Sequence, residues 1–232
     1  MTFLSLVLSV FPALVMVGAI VSFLYLCAFP SFLSLAALLF LLYGLPLVVY
    51  RLHHWISPIQ EGISYLGEKT YSPWWGSHQI QAIYITFPAL EAGLRLIPGA
   101  FSLWLRLWGS KVGRNVYWTP GLEIADRGLL EIGDRVIFGY QIRLSSHVIK
   151  PRKQNLVLYV KRIKIGNDVF LGAGSHLGPG TLISDGTYLP VFTILYLNQK
   201  LLNPKVTTQA ANSMSSRPHP PAPSPWGEGE PD

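Results

Sequence analysis

The first fifty residues carry no Asp, Glu, Lys, Arg or His. Residues 2–28 form one mostly apolar run and residues 31–50 a second, with Phe29-Pro30-Ser31 as a tight turn between them. A helix needs ~20 apolar residues to cross ~30 Å of hydrocarbon, and each run reaches that length. The pattern predicts a two-helix transmembrane hairpin over 1–50. Pro12 and Pro46 lie inside the runs, where a proline kinks a membrane helix without forbidding it. A cleaved signal peptide competes for the first run, but that run lacks a positive start and is too long. The loop between the helices is uncharged, and the first cation, Arg51, follows the second run. The Lys/Arg bias therefore places both ends of the hairpin, and all that follows, on the cytoplasmic face of a membrane. His53, His54 and Trp55 fall where interfacial anchors are expected, and the two histidines read as polar flanks rather than metal ligands.

Residues 51–110 are aromatic and punctuated by Pro and Gly, as in Tyr71-Ser72-Pro73-Trp74-Trp75-Gly76. Trp104 and Trp108 stand four apart with Arg106 between them. Such a short amphipathic helix lies in the headgroup plane, caps the core of the next domain, or does both. The stretch is an interfacial helical connector on either reading.

From Ile165 the period changes to six. Ile165, Leu171, Leu177, Ile183, Leu189 and Leu195 recur at that spacing. Gly166, Gly172 and Gly178 follow the first three, and Ser175, Thr181, Thr187 and Thr193 recur at the fifth place. Upstream, Val112, Trp118 and Ile124 keep the period, a two-residue slip follows, and Ile132, Phe138 and Leu144 resume it. Between Ser146 and Tyr159 the period breaks. A six-residue repeat of this kind describes a coil with three flat sides, its aliphatics inward and its small residues near the corners. Three hexads make an 18-residue turn, and each turn buries its apolar side only against its neighbours.

Composition narrows the reading. Half of the 232 residues are hydrophobic and 13% are charged, against ~25% in ordinary soluble domains. Mean hydropathy is +0.36. A disordered or highly charged protein is excluded. The single cysteine, Cys27, rules out an intramolecular disulfide and any zinc site built on two cysteines. The net charge of +6 suits nucleic acid, anionic lipid or an anionic substrate. The apolar front favours lipid, and no nucleic-acid partner is expected. Six cations gather in one stretch: Lys150, Arg152, Lys153, Lys161, Arg162 and Lys164. Residues 203–232 turn to Pro, Ser, Thr, Ala and Gly, which cannot bury a core, so a disordered tail is expected there, as in a shortened or frame-altered relative.

The strings Gly113-Arg114-Asn115-Val116-Tyr117, Ile124-Ala125-Asp126, Leu130-Glu131-Ile132-Gly133-Asp134 and residues 163–175 resemble the hexapeptide-repeat acyltransferases. The resemblance covers about 85 residues. It implies a left-handed parallel β-helix over 111–202 and acyl transfer from acetyl-CoA or another acyl-CoA. The acceptor would be a hydroxyl or amine of a sugar, a lipid-linked or other small molecule. The chain as a whole then reads as mainly β: a β-helix of hexapeptide repeats preceded by a membrane hairpin and a connector. A homotrimer is implied by the resemblance alone.

Acyl transfer needs a base for the acceptor's proton, and imidazole titrates near working pH. His147 ends a coil at the mouth of the aperiodic stretch, where the resembled family places its catalytic histidine. One turn back, allowing for the slip, Asp126 falls under Ser146 and beside His147, where a carboxylate would orient the ring. Glu123 falls under Arg143 as an ion pair, Asp134 reads as a turn residue, and His176 as a surface residue. Gly172 and Ala173 match the motif position that receives the pantetheine arm. Lys150, Arg152, Lys153 and Lys164 would hold CoA phosphates, or else face anionic lipid. The sequence departs from the family at Thr119-Pro120-Gly121, where an Asn is usual, at Phe170 for Trp, and at Pro190-Val191 for Gly-Ala. Two other readings are a truncated, non-catalytic membrane scaffold and a metalloprotein like the gamma-type carbonic anhydrases. The latter needs three histidines on neighbouring coils. Only His147 and His176 lie in the repeats, so no metal is expected.

Overall fold

The computed structural model describes residues 2–66, 70–152 and 155–201. The expected tail, and Lys153 among the expected donor-site cations, lie outside the described residues.

Helix α1 (Phe3–Ala28) opens on Thr2, whose hydroxyl accepts the Ser5 N–H at 3.2 Å. After the Phe29–Ser31 turn, Ser31 and Ser34 form a reciprocal capping box that starts α2 (Phe32–Leu39). A π-helical turn (Phe40–Gly44) joins α2 to α3 (Leu45–Ile56). Together they make one 25-residue helix, Phe32–Ile56, long and apolar enough to cross a membrane, as α1 is. The helix runs six residues past the apolar run. Pro46 has no N–H for the carbonyl of Leu42, one turn back. The Tyr84 hydroxyl donates to that carbonyl instead, at 2.7 Å.

The connector holds a strand, β1 (Gly62–Leu66), and three helices: α4 (Pro73–Thr86), α5 (Ala89–Arg95) and α6 (Ala100–Leu107). Helix α4 packs along α1 and α3 and buries Ile80, Ile83 and Tyr84. Trp104 and Trp108 are buried rather than laid in a headgroup plane. Trp108 meets Tyr50 of α3 at 4.6 Å and Tyr84 at 5.7 Å between ring centroids. Of the two readings, α6 caps the coil. His53 is also not a headgroup flank. It is buried, with Nε2 2.5 Å from the Tyr71 hydroxyl and Nδ1 3.3 Å from that of Ser77, because α4 covers this side of α3.

The coil follows. Its first turn carries β2 (Lys111–Val112) and β3 (Glu123–Ile124). The second carries β4 (Leu130–Ile132), β5 (Ile137–Phe138) and β6 (Arg143–Leu144), then a hairpin of β7 (His147–Arg152) and β8 (Asn155–Val160). The third carries β9 (Ile163–Ile165), β10 (Phe170–Leu171) and β11 (His176–Leu177). The fourth carries β12 (Leu182–Ile183), β13 (Tyr188–Leu189) and β14 (Ile194–Leu195), and β15 (Lys200–Leu201) begins a fifth. The strands stack in parallel into three sheets, β2-β4-β9-β12-β15, β5-β10-β13 and β3-β6-β11-β14, which is a parallel β-helix.

Register explains the core. Val112, Ile132, Ile165, Ile183 and Leu201 align on one face, and Ile124, Leu144, Leu177 and Leu195 on another. Ser175, Thr181 and Thr187 are buried at the corners. There the hydroxyls of Thr181 and Thr187 donate to the carbonyls of Gly178 and Ser184, at 2.8 and 2.7 Å, closing the bends locally. Gly172 has no room for a side chain, since an added Cβ would come within 2.4 Å of the Pro190 backbone on the next turn. The two irregularities are also explained. The slip, Ala125–Leu129, is where the helices dock. The aperiodic stretch is the hairpin, which pairs antiparallel with β1 in the order β1-β8-β7.

Candidate active site

Asp126 lies in the slip and is 3% exposed. His147 is the first residue of the hairpin, paired with Val160. Its Nδ1 stands 2.7 Å from Asp126 Oδ2. The Ser146 N–H donates to the same oxygen at 3.1 Å, and Trp74 Nε1 donates to Oδ1 at 2.9 Å. Burial pushes the Asp126 carboxyl up, but the hydrogen bonds from His147 and Trp74 and the nearby imidazoles outweigh it and hold the group below its ordinary value. Asp126 is therefore an anion at neutral pH. An anionic acceptor at Nδ1 favours a proton there by the hydrogen-bond network, and Nε2 has no hydrogen-bond partner among the described residues. The His147 side chain keeps 17% of its surface exposed.

One wall of the site comes from α4. Trp74 and His78 are four apart on the helix and so share a face. Trp74 lies 4.4 Å from the His147 ring, and His78 stands edge-on to it at 5.4 Å. Burial pushes the His78 imidazole down, so it is neutral at physiological pH, and its Nδ1 is buried without a hydrogen-bond partner among the described residues. Ser72 caps α4 by accepting the Trp75 N–H, and Pro73 sits at its first turn.

The helices hold this wall through the slip. Arg127 is 1% exposed and donates through Nε and Nη2 to Glu91 of α5 at 2.6 and 2.8 Å. Glu91 also accepts from Trp104 Nε1 at 2.8 Å, and Gln81 of α4 accepts the Arg127 backbone N–H at 2.7 Å. The two extra residues of the slip thus present one carboxylate to the histidine and one guanidinium to the helices.

One atom from each of His78, Asp126 and His147 lies within 4.8 Å of the others, a set that could bracket a divalent metal. Both Asp126 oxygens already accept protons from nitrogen at hydrogen-bond distance. The same atoms form a hydrogen-bonded Asp126–His147 dyad.

This coil has relatives. Over 87 residues the chain is 31% identical to galactoside O-acetyltransferase of Escherichia coli (strain K12), covering 36% of this chain and 43% of that enzyme. Over 107 residues it is 27% identical to delta-poly-L-ornithine synthetase of Acinetobacter baumannii (strain AB307-0294), covering 44% of this chain and 8% of that protein. Among solved structures it matches the hexapeptide-repeat containing acetyltransferase VCA0836 of Vibrio cholerae O1 biovar eltor, complexed with acetyl coenzyme A. That match has 17% identity and a TM-score of 0.40, over 54% of this chain and 81% of the other. The chain is similar to the hexapeptide-repeat acetyltransferases. It spans less than half the length of these curated relatives. No family model matches it.

The remaining sequence-predicted residues spread over the coil. Gly172 and Ala173 follow β10, at the corner where the third turn meets Pro190. Lys150 and Arg152 are exposed on β7 and line a groove of about 410 Å³ with Tyr159 and Asn198. Lys164 lies on another face, where its Nζ is 3.1 Å from Glu131, an acid that Arg162 and Lys111 also approach. Among the described residues the cations clustered in sequence therefore divide into a hairpin pair, Lys161 bonded to Asn198 at 3.0 Å, and the ion-paired Arg162 and Lys164. Arg143 and Glu123 pair at 2.8 Å, as their stacking predicts, and Asp134 accepts the Arg114 N–H in its turn. Sequence reasoning missed Trp74 and His78. The one signal was their spacing of four in an aromatic segment.

Proposed function

We propose that the chain is a membrane-anchored, acyl-CoA-dependent acyltransferase whose general base is His147. The observation that carries this is the Asp126–His147 contact of 2.7 Å, buried on the aspartate side and open on the histidine side. In the proposed reaction, Nε2 of His147 takes the proton of an acceptor hydroxyl or amine as that group attacks the thioester carbonyl. The C–S bond then breaks, and the imidazolium returns its proton to the leaving thiolate. Asp126 stabilises the imidazolium and holds the tautomer. Trp74 packs against the ring and donates to Asp126, so it acts as a positioning residue.

Gly172 and Ala173 would receive the pantetheine arm, and Lys150 and Arg152 would meet the phosphates of the donor. Lys164, tied to Glu131, contributes less free charge. The acyltransferase relatives support a left-handed hand for the coil. The two long apolar helices, the helices that follow them and the stacked strands support a division into a hairpin (1–50), a connector (51–110) and a catalytic coil (111–202). The names of two relatives, galactoside O-acetyltransferase and VCA0836 with acetyl coenzyme A, favour an acetyl donor and a sugar-like acceptor. The two apolar helices favour a cytoplasm-facing site on a membrane, a lipid environment and a lipid-linked acceptor. A homotrimer completes the reading by likeness to the family.

The test is thiol release from acetyl-CoA by detergent-solubilised protein, with sugar and lipid-linked acceptors. Acceptor-dependent release is expected. None with any acceptor, at protein concentrations that saturate the donor, favours the scaffold reading instead.

A further inference from the structure

A groove of about 560 Å³ lies between α6, the α5–α6 turn and residues 113–118 of the first coil. Arg95, Arg106 and Arg114 line it, and no acidic residue does. None of the three is in an ion pair among the described residues. Arg106 donates to the carbonyls of Val112 and Gly113 at 2.9 and 2.7 Å. Arg95 donates to the carbonyl of Leu122 at 3.1 Å and stands 4.7 Å over the Phe101 ring. These neutral partners fix both guanidiniums, and Glu91, the acid that acts on Arg95 through space, is itself paired with Arg127. Arg95 Nε is buried with no hydrogen-bond partner among the described residues. The Arg114 side chain is exposed and has no hydrogen bond among the described residues, its backbone N–H alone being taken by Asp134.

The surroundings are apolar on one side. Leu96 and Ile97, at the α5–α6 turn, are 85% and 60% exposed. Arg51 of α3 donates to the Arg106 carbonyl at 3.4 Å, which sets the groove beside the polar end of the second apolar helix. On the membrane reading above, that is the depth where hydrocarbon gives way to headgroups. Guanidiniums match phosphate by bidentate hydrogen bonding as well as by charge.

We propose that this groove binds the phosphate or diphosphate head of an anionic membrane lipid, with Leu96 and Ile97 against its chain. The proposal rests on the membrane reading. It makes the Arg95–Arg106–Arg114 groove a second site, separate from the Asp126–His147 dyad.

The experiment is native mass spectrometry of the full chain in detergent, titrated with phosphatidylglycerol, phosphatidylcholine or inorganic pyrophosphate. Phosphatidylglycerol is expected to bind at least tenfold more tightly than phosphatidylcholine. Arg95→Gln with Arg114→Gln is expected to weaken it at least tenfold, and the single, exposed Arg114→Gln several-fold. The control Lys200→Gln, exposed on β15 and outside both proposed sites, is expected to leave it unchanged. Unchanged affinity in Arg114→Gln and in a folded double variant overturns the proposal, as does equal loss in the control. Pyrophosphate binding as tightly as the lipid overturns the lipid source and assigns the groove to free phosphates. A chain that stays monodisperse without detergent overturns the membrane reading, and arginine-dependent pyrophosphate binding then supports the phosphate site on its own.

Discussion

Asp126→Asn tests the proposed dyad with almost no change in volume. The carboxylate accepts from three donors: Trp74 Nε1, the Ser146 N–H and His147 Nδ1. An asparagine has one acceptor oxygen and one amide nitrogen in their place. If its oxygen serves Trp74 in the Oδ1 place, its NH₂ takes the Oδ2 place and faces both Nδ1 and the Ser146 N–H. The ring must then accept there and carry its proton on Nε2, where the reaction needs a lone pair. Loss of a positioned base costs ~10²–10⁴ in rate, and a fall of about 10³ in turnover is expected, with the KM for acyl-CoA little changed. Stability should drop by about 1–3 kcal/mol, the cost of leaving one buried donor unsatisfied. The pH dependence has a definite sign. The folded carboxyl lies below its ordinary value, so its contribution is present above the unfolded pKa of ~3.9 and is lost as pH falls through the folded value. The stability gap between wild type and variant should therefore narrow as the medium is taken from pH 6 towards pH 3. Turnover by stopped thiol assay and chemical denaturation at several pH values check both parts. A variant with wild-type turnover would refute the role of Asp126. A gap that widens on acidification would refute the electrostatic account.

Further outcomes follow from the same contacts. Arg127→Met leaves Glu91 charged and buried, and should destabilise the fold by about 3–5 kcal/mol in denaturant titrations. Adding Glu91→Leu should recover part of that loss, since both buried charges are then gone. Gly172→Ala should cost about 1–3 kcal/mol by overpacking against the Pro190 backbone, read as a lower melting temperature. Trp74→Phe keeps the ring beside His147 but removes the bond to Asp126. A hydrogen bond to a charged group is worth ~1.5–3 kcal/mol, so turnover should fall by about 10- to 100-fold. Dialysis against EDTA should leave turnover unchanged, and loss restored by zinc would favour a metal at His78, Asp126 and His147 instead.

The parts of the molecule legible in the sequence are those whose physics is periodic. Aliphatics six apart place Ile165, Leu171 and Leu177 on successive faces because each turn repeats the same three sides. Counting one turn back, with the slip, brings Asp126 to His147 because stacked turns keep register. The slip itself was visible, but its cause was not: the partner of Arg127 is Glu91, 36 residues away on a helix with no coil period. Trp74 reaches Asp126 from 52 residues away for the same reason. The break after Ser146 reads as a loop because the six-residue period stops there. In the fold, strand alternation takes over, with Leu158 and Val160 buried and Tyr159 between them. His53 reads as a membrane flank from its position, while its burial depends on α4 lying across α3.

The proposed reaction depends above all on His147 as the base. The most direct measurement is acceptor-dependent thiol release from acetyl-CoA by His147→Ala, alongside acetyl-CoA affinity by calorimetry. A fall of about 10³ or more in turnover is expected, with donor affinity close to wild type and a melting temperature lowered by loss of the bond to buried Asp126. Turnover within a few-fold of wild type in the folded variant would contradict it.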